Sequence, residues 1–145
     1  MVTGGVMREI LLHGSSEEAF DRSAAFARRL AESFTSRLHV VYTVEDPLSA
    51  GWTAEVSADK LPELHQAMEQ EARERLARVI PHEDQDRLGV TIVLRTGPAV
   101  EELVRYTTEH SIDLAIVQAP VSGGPGMDAA RALLDHGACA VLVLR

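Results

Sequence analysis

The chain has 145 residues, of which 46% are hydrophobic and 25% are charged, with a formal net charge of −8 at pH 7. This length suits one domain with a real core, and the composition is typical of a globular protein. The acidic balance argues against affinity for nucleic acid or for an anionic membrane. A single cysteine, Cys139, excludes an internal disulfide framework and is consistent with a reducing cytoplasm. We expect residues 1–6 to be a flexible leader without a secretory signal, followed by one domain over 7–145.

The first apolar run, residues 7–12, predicts a strand that stops at His13 and Gly14. Ser15 and Glu18 stand at capping-box spacing, which predicts the start of a helix ending near Ser36. Steps of four and three along this helix place one apolar face inward. The residues of that face are Phe20, Ala24, Ala27, Ala31 and Phe34.

The next segments continue the alternation of strand and helix. Residues 38–44 are rich in β-branched and aromatic side chains and predict a second strand. Residues 45–59 show no sustained period and predict a long connection, in which Trp52 either packs onto the body or belongs to a lid. A helical stripe then runs from Lys60 towards Pro81, and residues 84–88 predict a polar turn. The stripe consists of Leu61, Leu64, Met68, Ala72, Leu76 and Val79.

The second half of the chain repeats this pattern. Residues 90–95 predict a third strand, and a helix follows whose inward residues are Val100, Leu103, Val104 and Thr107. Apolar runs at 114–117 and Ala140–Leu144 predict the last two strands, joined by a glycine-bearing loop over 120–126 and a helix over 127–137. Regular alternation of this kind predicts a three-layer α/β sandwich with a parallel sheet.

Four short motifs indicate a protein family through their order and spacing along the chain. They are HGSS at residues 13–16, RTGPAVEEL at 95–103, DLAIV at 113–117 and HGACAVLVL at 136–144. Together they resemble the universal stress protein family over nearly the whole chain. The resemblance implies a Rossmann-like fold of the adenine nucleotide alpha-hydrolase type, with five parallel strands in the order 3-2-1-4-5 and helices on both faces. It also implies a role in the stress response.

In the nucleotide-binding branch of that family, two sequence motifs are expected at the nucleotide site, and this sequence departs from both. An Asp is expected in the turn after strand one, where this chain has His13. A loop of the form G-x-x-G-x9-G-(S/T) is expected after strand four, where this chain is shorter and has Met127 and Asp128 in place of the final pair. A carboxylate at a helix N-terminus repels phosphate. We therefore expect no bound cofactor.

The alternative is a variant site for ATP with Mg²⁺, for AMP or for another small anion. Ser122, Gly123 and Gly124, with Gly126 close behind, could form a nest of backbone amides. The turn at His13, Gly14 and Ser15 would face this loop across the switch point implied by the resemblance. The competing interpretation is a tight turn, with Asp128 capping the last helix.

Several other side chains could carry chemistry. His13 could act as a general base, a metal ligand or a contact to a small molecule, or it could be bonded to neighbouring backbone. The six histidines show no metal-binding spacing, and His39 in strand two suits a satisfied near-core position. Ser15 and Ser16 suit capping rather than nucleophilic catalysis, and Cys139 suits burial. We predict no catalytic residue and no enzymatic activity; an enzyme using His13 as a base ranks last.

The last strand would form one edge of the implied sheet. Its sequence has no lysine, proline or bulge to prevent pairing with another chain. We therefore predict a homodimer formed by antiparallel pairing of this strand across a two-fold axis, as the resemblance also implies. The predicted interface consists of Ala140, Val141, Leu142, Val143 and Leu144.

Overall fold

In a computed structural model, residues 7–14, 19–44, 61–96, 99–119, 125–137 and 139–145 are described. These ranges contain five strands and five helices. The strands are β1 (Glu9–Gly14), β2 (Arg37–Val44), β3 (Thr91–Thr96), β4 (Leu114–Gln118) and β5 (Ala140–Leu144). The helices are α1 (Ala19–Phe34), α2 (Leu61–Val79), α3 (His82–Arg87), α4 (Ala99–Glu109) and α5 (Pro125–His136).

The five strands form one sheet in the order β3-β2-β1-β4-β5, and every neighbouring pair is parallel. The predicted fold class and strand order are therefore confirmed. In β1, Ile10 pairs with Leu38 on one side and with Leu114 on the other, which places β1 at the centre of the sheet. The strand order reverses between β1 and β4.

Each face of the sheet has its own core, which is why the strands are apolar without alternation. Ile10, Leu11 and Leu12 are all fully buried although they point to opposite faces. One face packs against α1 and α2 through residues such as Phe20 and Leu76. The other packs against α4 and α5, with the buried residues Leu11, Val41, Leu103, Tyr106, Ala129 and Leu133.

The apolar face predicted for α1 is confirmed except at its end. Phe20, Ala24, Ala27 and Ala31 are buried, and the three small alanine side chains let the helix approach the sheet closely. Phe34 was expected to face the core, and this is wrong, since 53% of the residue is exposed. It lies in the last turn, directly before Thr35 takes a left-handed φ of 53° and the chain turns towards β2.

The polar turn predicted at residues 84–88 is wrong, because helix α3 covers most of it. This helix buries none of its residues, so it leaves no apolar period in the sequence. Its charged side chains bond to the rest of the protein and to one another: the Asp84 carboxylate accepts hydrogen bonds from Arg28 of α1 at 2.6 Å and from Arg87 at 3.0 Å. A charged helix of this kind is invisible to an analysis of hydrophobic spacing.

Strand boundaries differ from the predictions by one to two residues. β1 begins at Glu9 rather than Met7 and continues through Gly14, because His13 and Gly14 still pair with Val41 and Tyr42. β4 likewise extends to Gln118. The predicted bounds of β5 are confirmed.

A carboxylate joins β1 and β4 at the amino-terminal edge of the sheet. Asp113 directly precedes β4, and its Oδ2 accepts hydrogen bonds from the backbone amides of Arg8 and Glu9, both at 2.9 Å. Its own amide donates to the Glu9 carbonyl at 2.8 Å. Asp113 therefore fixes the start of the central strand pair.

Candidate functional site

The carboxyl ends of β1 and β4 meet where the strand order reverses. In open parallel sheets, ligands bind in the crevice at this position. The described residues there are His13 and Gly14 at the end of β1, Thr43 near the end of β2, Gln118 at the end of β4 and the first turn of α5. These residues define the carboxyl-edge site.

His13 is buried, with 9% of the residue exposed. Its Nε2 lies 2.6 Å from the Oγ1 of Thr43, which points to the same face from the neighbouring strand. The bond that the structure describes is therefore to a side-chain hydroxyl, and the residue belongs to a strand rather than a turn.

Burial lowers the pKa of His13 from 6.5 to about 4, because the charged imidazolium is poorly solvated there. The ring is accordingly neutral at pH 7. A neutral imidazole supplies no positive charge to a phosphate, and a base of such low pKa accepts a proton weakly at neutral pH. A neutral imidazole contributes only hydrogen bonds, as a donor at one ring nitrogen and an acceptor at the other.

Gly14 owes its identity to packing. A Cβ at this position would lie 2.9 Å from Cδ2 of Tyr42 and 3.2 Å from Cε1 of Phe20. These two rings contact each other edge-on, with their centroids 5.9 Å apart. The glycine is thus explained by aromatic rings behind it, without any close approach of a ligand.

Gln118 is a candidate that the sequence interpretation missed. Its side-chain Oε1 is buried and has no hydrogen-bond partner among the residues that the structure describes. Buried polar atoms are nearly always paired, so an orphaned oxygen at a ligand-binding edge marks a place where a donor would be stabilised. Thr43 was also missed, although its period-two spacing from Val41 places it on the same face of the sheet as His13.

Helix α5 begins at Pro125, so Gly126 and Asp128 belong to its first turn. Asp128 is exposed and places a carboxylate at the positive end of the helix. This arrangement opposes an anion at the same end. Ser15, the Ser15–Glu18 capping box, residues 45–59 with Trp52, and the nest residues Ser122, Gly123 and Gly124 all lie outside the described residues.

The predicted interface strand β5 is the outermost strand beside β4. Ala140 donates its amide to Asp113 at 3.1 Å, and Leu144 accepts at its carbonyl from Ala119 at 2.7 Å. Because backbone groups alternate in direction along a strand, Val141 and Val143 direct their N–H and C=O groups to the free edge. Ala140 is exposed, and the remaining β5 residues are half-buried.

Three further sequence predictions concern titratable side chains. His39 is only half satisfied: Nδ1 lies 2.8 Å from the Tyr106 hydroxyl, whereas Nε2 is buried and finds no hydrogen-bond partner within the described part of the chain. Cys139 is half-buried, and burial raises the pKa of its thiol, which reduces the thiolate at neutral pH. Within the described ranges, no three His, Cys, Asp or Glu side chains form a group that could hold a metal ion.

None of the described helices is both long enough and apolar enough to cross a membrane.

A parallel α/β sheet with a crevice between strands one and four is the architecture of several nucleotide-binding and regulatory domains. The sequence model of the universal stress protein family matches residues 8–145. The chain belongs to the universal stress protein family. A search of curated proteins found no match.

Solved structures share the fold over almost the entire chain. A universal stress protein family member from Burkholderia pseudomallei is 24% identical, with 97% of this chain and 98% of that chain covered and a TM-score of 0.65. UspA from Lactobacillus plantarum is 21% identical, with 95% and 97% covered and a TM-score of 0.65. A universal stress protein from Archaeoglobus fulgidus, solved in complex with dAMP, is 13% identical, with 96% and 98% covered and a TM-score of 0.56.

Proposed function

We propose that this universal stress protein is a cytoplasmic, homodimeric binding or regulatory module of the stress response that does not act through ATP and has no catalytic activity of its own. The observation that carries the proposal is the neutral, buried His13 at the carboxyl-edge site. Where a phosphate would need positive charge, the described residues offer an uncharged imidazole bonded to Thr43.

Two further features support the same conclusion. The exposed Asp128 carboxylate stands in the first turn of α5, where it opposes an anion. The whole chain carries a formal charge of −8, which adds to the repulsion of a polyphosphate. Function would then depend on protein surfaces, including a dimer formed through β5, rather than on a bound nucleotide.

Denaturing the purified protein and analysing the supernatant for adenine nucleotides tests this proposal. We expect none to be released. Release of ATP or AMP in an amount close to one per chain would overturn the proposal and identify the protein as a nucleotide carrier.

The second candidate function is binding of an adenine nucleotide or another small anion through the loop over 120–128. It is favoured by the buried Oε1 of Gln118, which has no hydrogen-bond partner in the described ranges and suits a donor such as an exocyclic amine or a sugar hydroxyl. The dAMP complex of the Archaeoglobus fulgidus protein also shows that the shared fold accommodates a nucleotide in that relative.

The substitution Asp128→Ser distinguishes the two functions, since it removes the opposing carboxylate from the start of α5. If the loop is a phosphate site, the affinity for Mg-ATP should rise in calorimetry. Asp135→Ser is the matched control, because Asp135 is exposed in the last turn of the same helix. If neither variant binds Mg-ATP, an ATP site in this loop is excluded, and the same titration with AMP and with inorganic phosphate tests the remaining ligands of the second function.

A further inference from the structure

The side of α1 that faces away from α2 carries an apolar stripe. Phe26, Leu30 and Phe34 follow one another at four-residue spacing, so they lie along the same side of the helix. Phe34 is 53% exposed, and Phe26 and Leu30 are half-buried. Three large apolar side chains therefore line α1 beside the face that packs on the sheet.

Polar contacts show which way the two sides of α1 face. On one side, Arg28 pairs with Asp84 of α3 at 2.6 Å. On the other side, Arg22 donates a hydrogen bond to the backbone oxygen of Arg145, which directly follows β5. Phe26 stands one turn after Arg22, so the apolar stripe faces β5.

Strand β5 supplies a floor beside this stripe. Leu142 and Leu144 are half-buried and pack against the same core as α1. The helix itself packs mainly on β1 and β4, and α2 lies on its far side. In the described part of the chain, β5 therefore has no helix of its own on this face of the sheet. These two leucines and the stripe, Phe26, Leu30 and Phe34, are called the α1–β5 groove.

The outer rim of the groove is basic. Arg22 and Arg29 stand there, with the Cζ atom of Arg29 5.8 Å from the centroid of the Phe26 ring. The carboxylates of α1, Asp21 and Glu32, lie on its opposite side and pair with arginines of α2 and α3. The sequence of β5 contains no carboxylate. On a chain with a formal charge of −8, this rim is a local basic surface that attracts acidic side chains.

The proposed homodimer would close the groove from its open side. Antiparallel pairing of β5 with its copy places a two-fold axis perpendicular to the sheet, so both copies of α1 lie on the same face. With strands about 4.8 Å apart, this axis lies roughly 10 Å from a helix centred between β1 and β4. The two α1 helices would then be about 19 Å apart, which is twice the spacing of about 8–10 Å between packed helices. This space fits one additional helix.

We propose that the dimer binds one amphipathic helix of a partner protein in the α1–β5 groove. The apolar side of the bound helix lies on the leucines of both β5 strands and between the two apolar stripes, and its acidic side chains meet the arginines of both rims. The inference rests on the homodimer of the proposed function and names the kind of partner that such a dimer regulates.

The dimensions of the groove set the length of the bound helix. From Arg22 to Phe34 the helix α1 rises by about 18 Å, which corresponds to about three turns of a helix lying alongside it. Apolar side chains at three- and four-residue spacing on the partner would then face the groove. Because the two-fold axis runs through the groove, each dimer has room for one such helix and not for two.

Peptide selection on the purified dimer tests the proposal. The probe is a library of helical peptides of about 14 residues, with the apolar side varied among leucine, isoleucine, methionine and phenylalanine and with glutamate on both flanks. The control library has lysine in place of glutamate. Glutamate-flanked peptides should be selected, and in fluorescence anisotropy they should bind at one peptide per two chains, about tenfold or more tightly than their lysine counterparts.

Four variants locate the binding surface. Phe34→Gln removes an exposed part of the stripe and Arg29→Glu reverses the charge of the rim, so each should weaken binding of the selected peptide by about tenfold or more. Leu134→Gln and Arg131→Glu are the matched controls. Both residues are exposed on α5, which packs on the opposite face of the sheet, and both variants should bind like the wild type.

Sedimentation of the same preparation separates failure of the groove from failure of the dimer. A dimer that selects no glutamate-flanked peptide, or whose binding is unchanged by Phe34→Gln and Arg29→Glu, would overturn the groove and leave the dimer in place. A protein that sediments as a monomer would overturn the dimer and the shared groove together. Binding to phosphatidylglycerol vesicles that is lost in Phe34→Gln would assign the stripe to a membrane surface and overturn the proposal.

Discussion

The Nε2 atom of His13 lies 2.6 Å from the Oγ1 atom of Thr43, and this bond joins the ends of β1 and β2 beside the position where ligands bind in sheets of this type. The pair is uncharged at neutral pH because the pKa of His13 is lowered to about 4. A carboxyl-edge site built around such a pair favours hydrogen bonding over the binding of anions.

The lowered pKa of His13 makes stability depend on pH. The unfolded chain takes up this proton near pH 6.5 and the folded chain only near pH 4, so stability is full above pH 6.5 and falls as the pH drops towards 4. At roughly 1.4 kcal/mol for each pKa unit, the loss attributable to His13 is about 3 kcal/mol.

Urea unfolding at pH 7.5 and pH 4.5 measures this loss. The fall in unfolding free energy should be smaller in His13→Gln than in the wild type. His82→Gln is the control for replacing a histidine, since His82 is exposed on α3. An identical fall in all three proteins would show that His13 is not protonated on unfolding.

Removing the Thr43 hydroxyl should destabilise the protein. In Thr43→Val the side chain keeps its shape but a buried ring nitrogen of His13 loses its partner, at a cost of about 1–3 kcal/mol. Thr91→Val is the control, because Thr91 is exposed on β3. Thermal or urea unfolding that shows equal small effects for both variants would contradict the importance of the hydrogen bond.

The Asp113 carboxylate should contribute to the stability of the central strand pair. Asp113→Ala removes the acceptor of two backbone hydrogen bonds at 2.9 Å, and we expect a loss of about 2 kcal/mol or more in unfolding free energy. Asp135→Ala, at an exposed position on α5, should cost much less. Comparable effects of the two substitutions in urea unfolding would argue against this role.

The proposed dimer can be tested at the backbone groups of β5 that point to the free edge of the sheet. Val143→Pro removes an N–H that points to the free edge of β5 and leaves the hydrogen bonds to β4 in place, so the protein should become a folded monomer in analytical ultracentrifugation. Phe34→Arg, which alters an exposed apolar residue on α1, should leave the dimer intact. A Val143→Pro protein that sediments as a dimer would place the interface elsewhere.

Much of the fold could be predicted because its determinants are local and periodic. The buried residues Ile10, Leu11 and Leu12 are consecutive in the sequence and therefore predict a buried strand. The small inward residues of α1 follow a helical period. The α3 helix could not be found in this way, since it buries none of its residues and its contact with Arg28 joins positions far apart in sequence. Phe34 was misplaced because periodicity does not show where a core ends.

The candidate site was less accessible to prediction. His13 was identified from its position at a strand end, but its partner depends on the register of β1 and β2, which no single segment encodes. The same holds for the contact of His39 with the Tyr106 hydroxyl, which forms only after β2 and α4 have packed together. The order of helices and strands along the chain does not reveal which polar side chains, far apart in sequence, form hydrogen bonds with each other.

Calorimetric titration of the purified protein with Mg-ATP tests the central claim most directly. A neutral His13 and an exposed Asp128 predict no measurable heat of binding up to millimolar ATP. Binding in the micromolar range, at one nucleotide per chain, would contradict the account and show that the loop over 120–128 is a variant phosphate site.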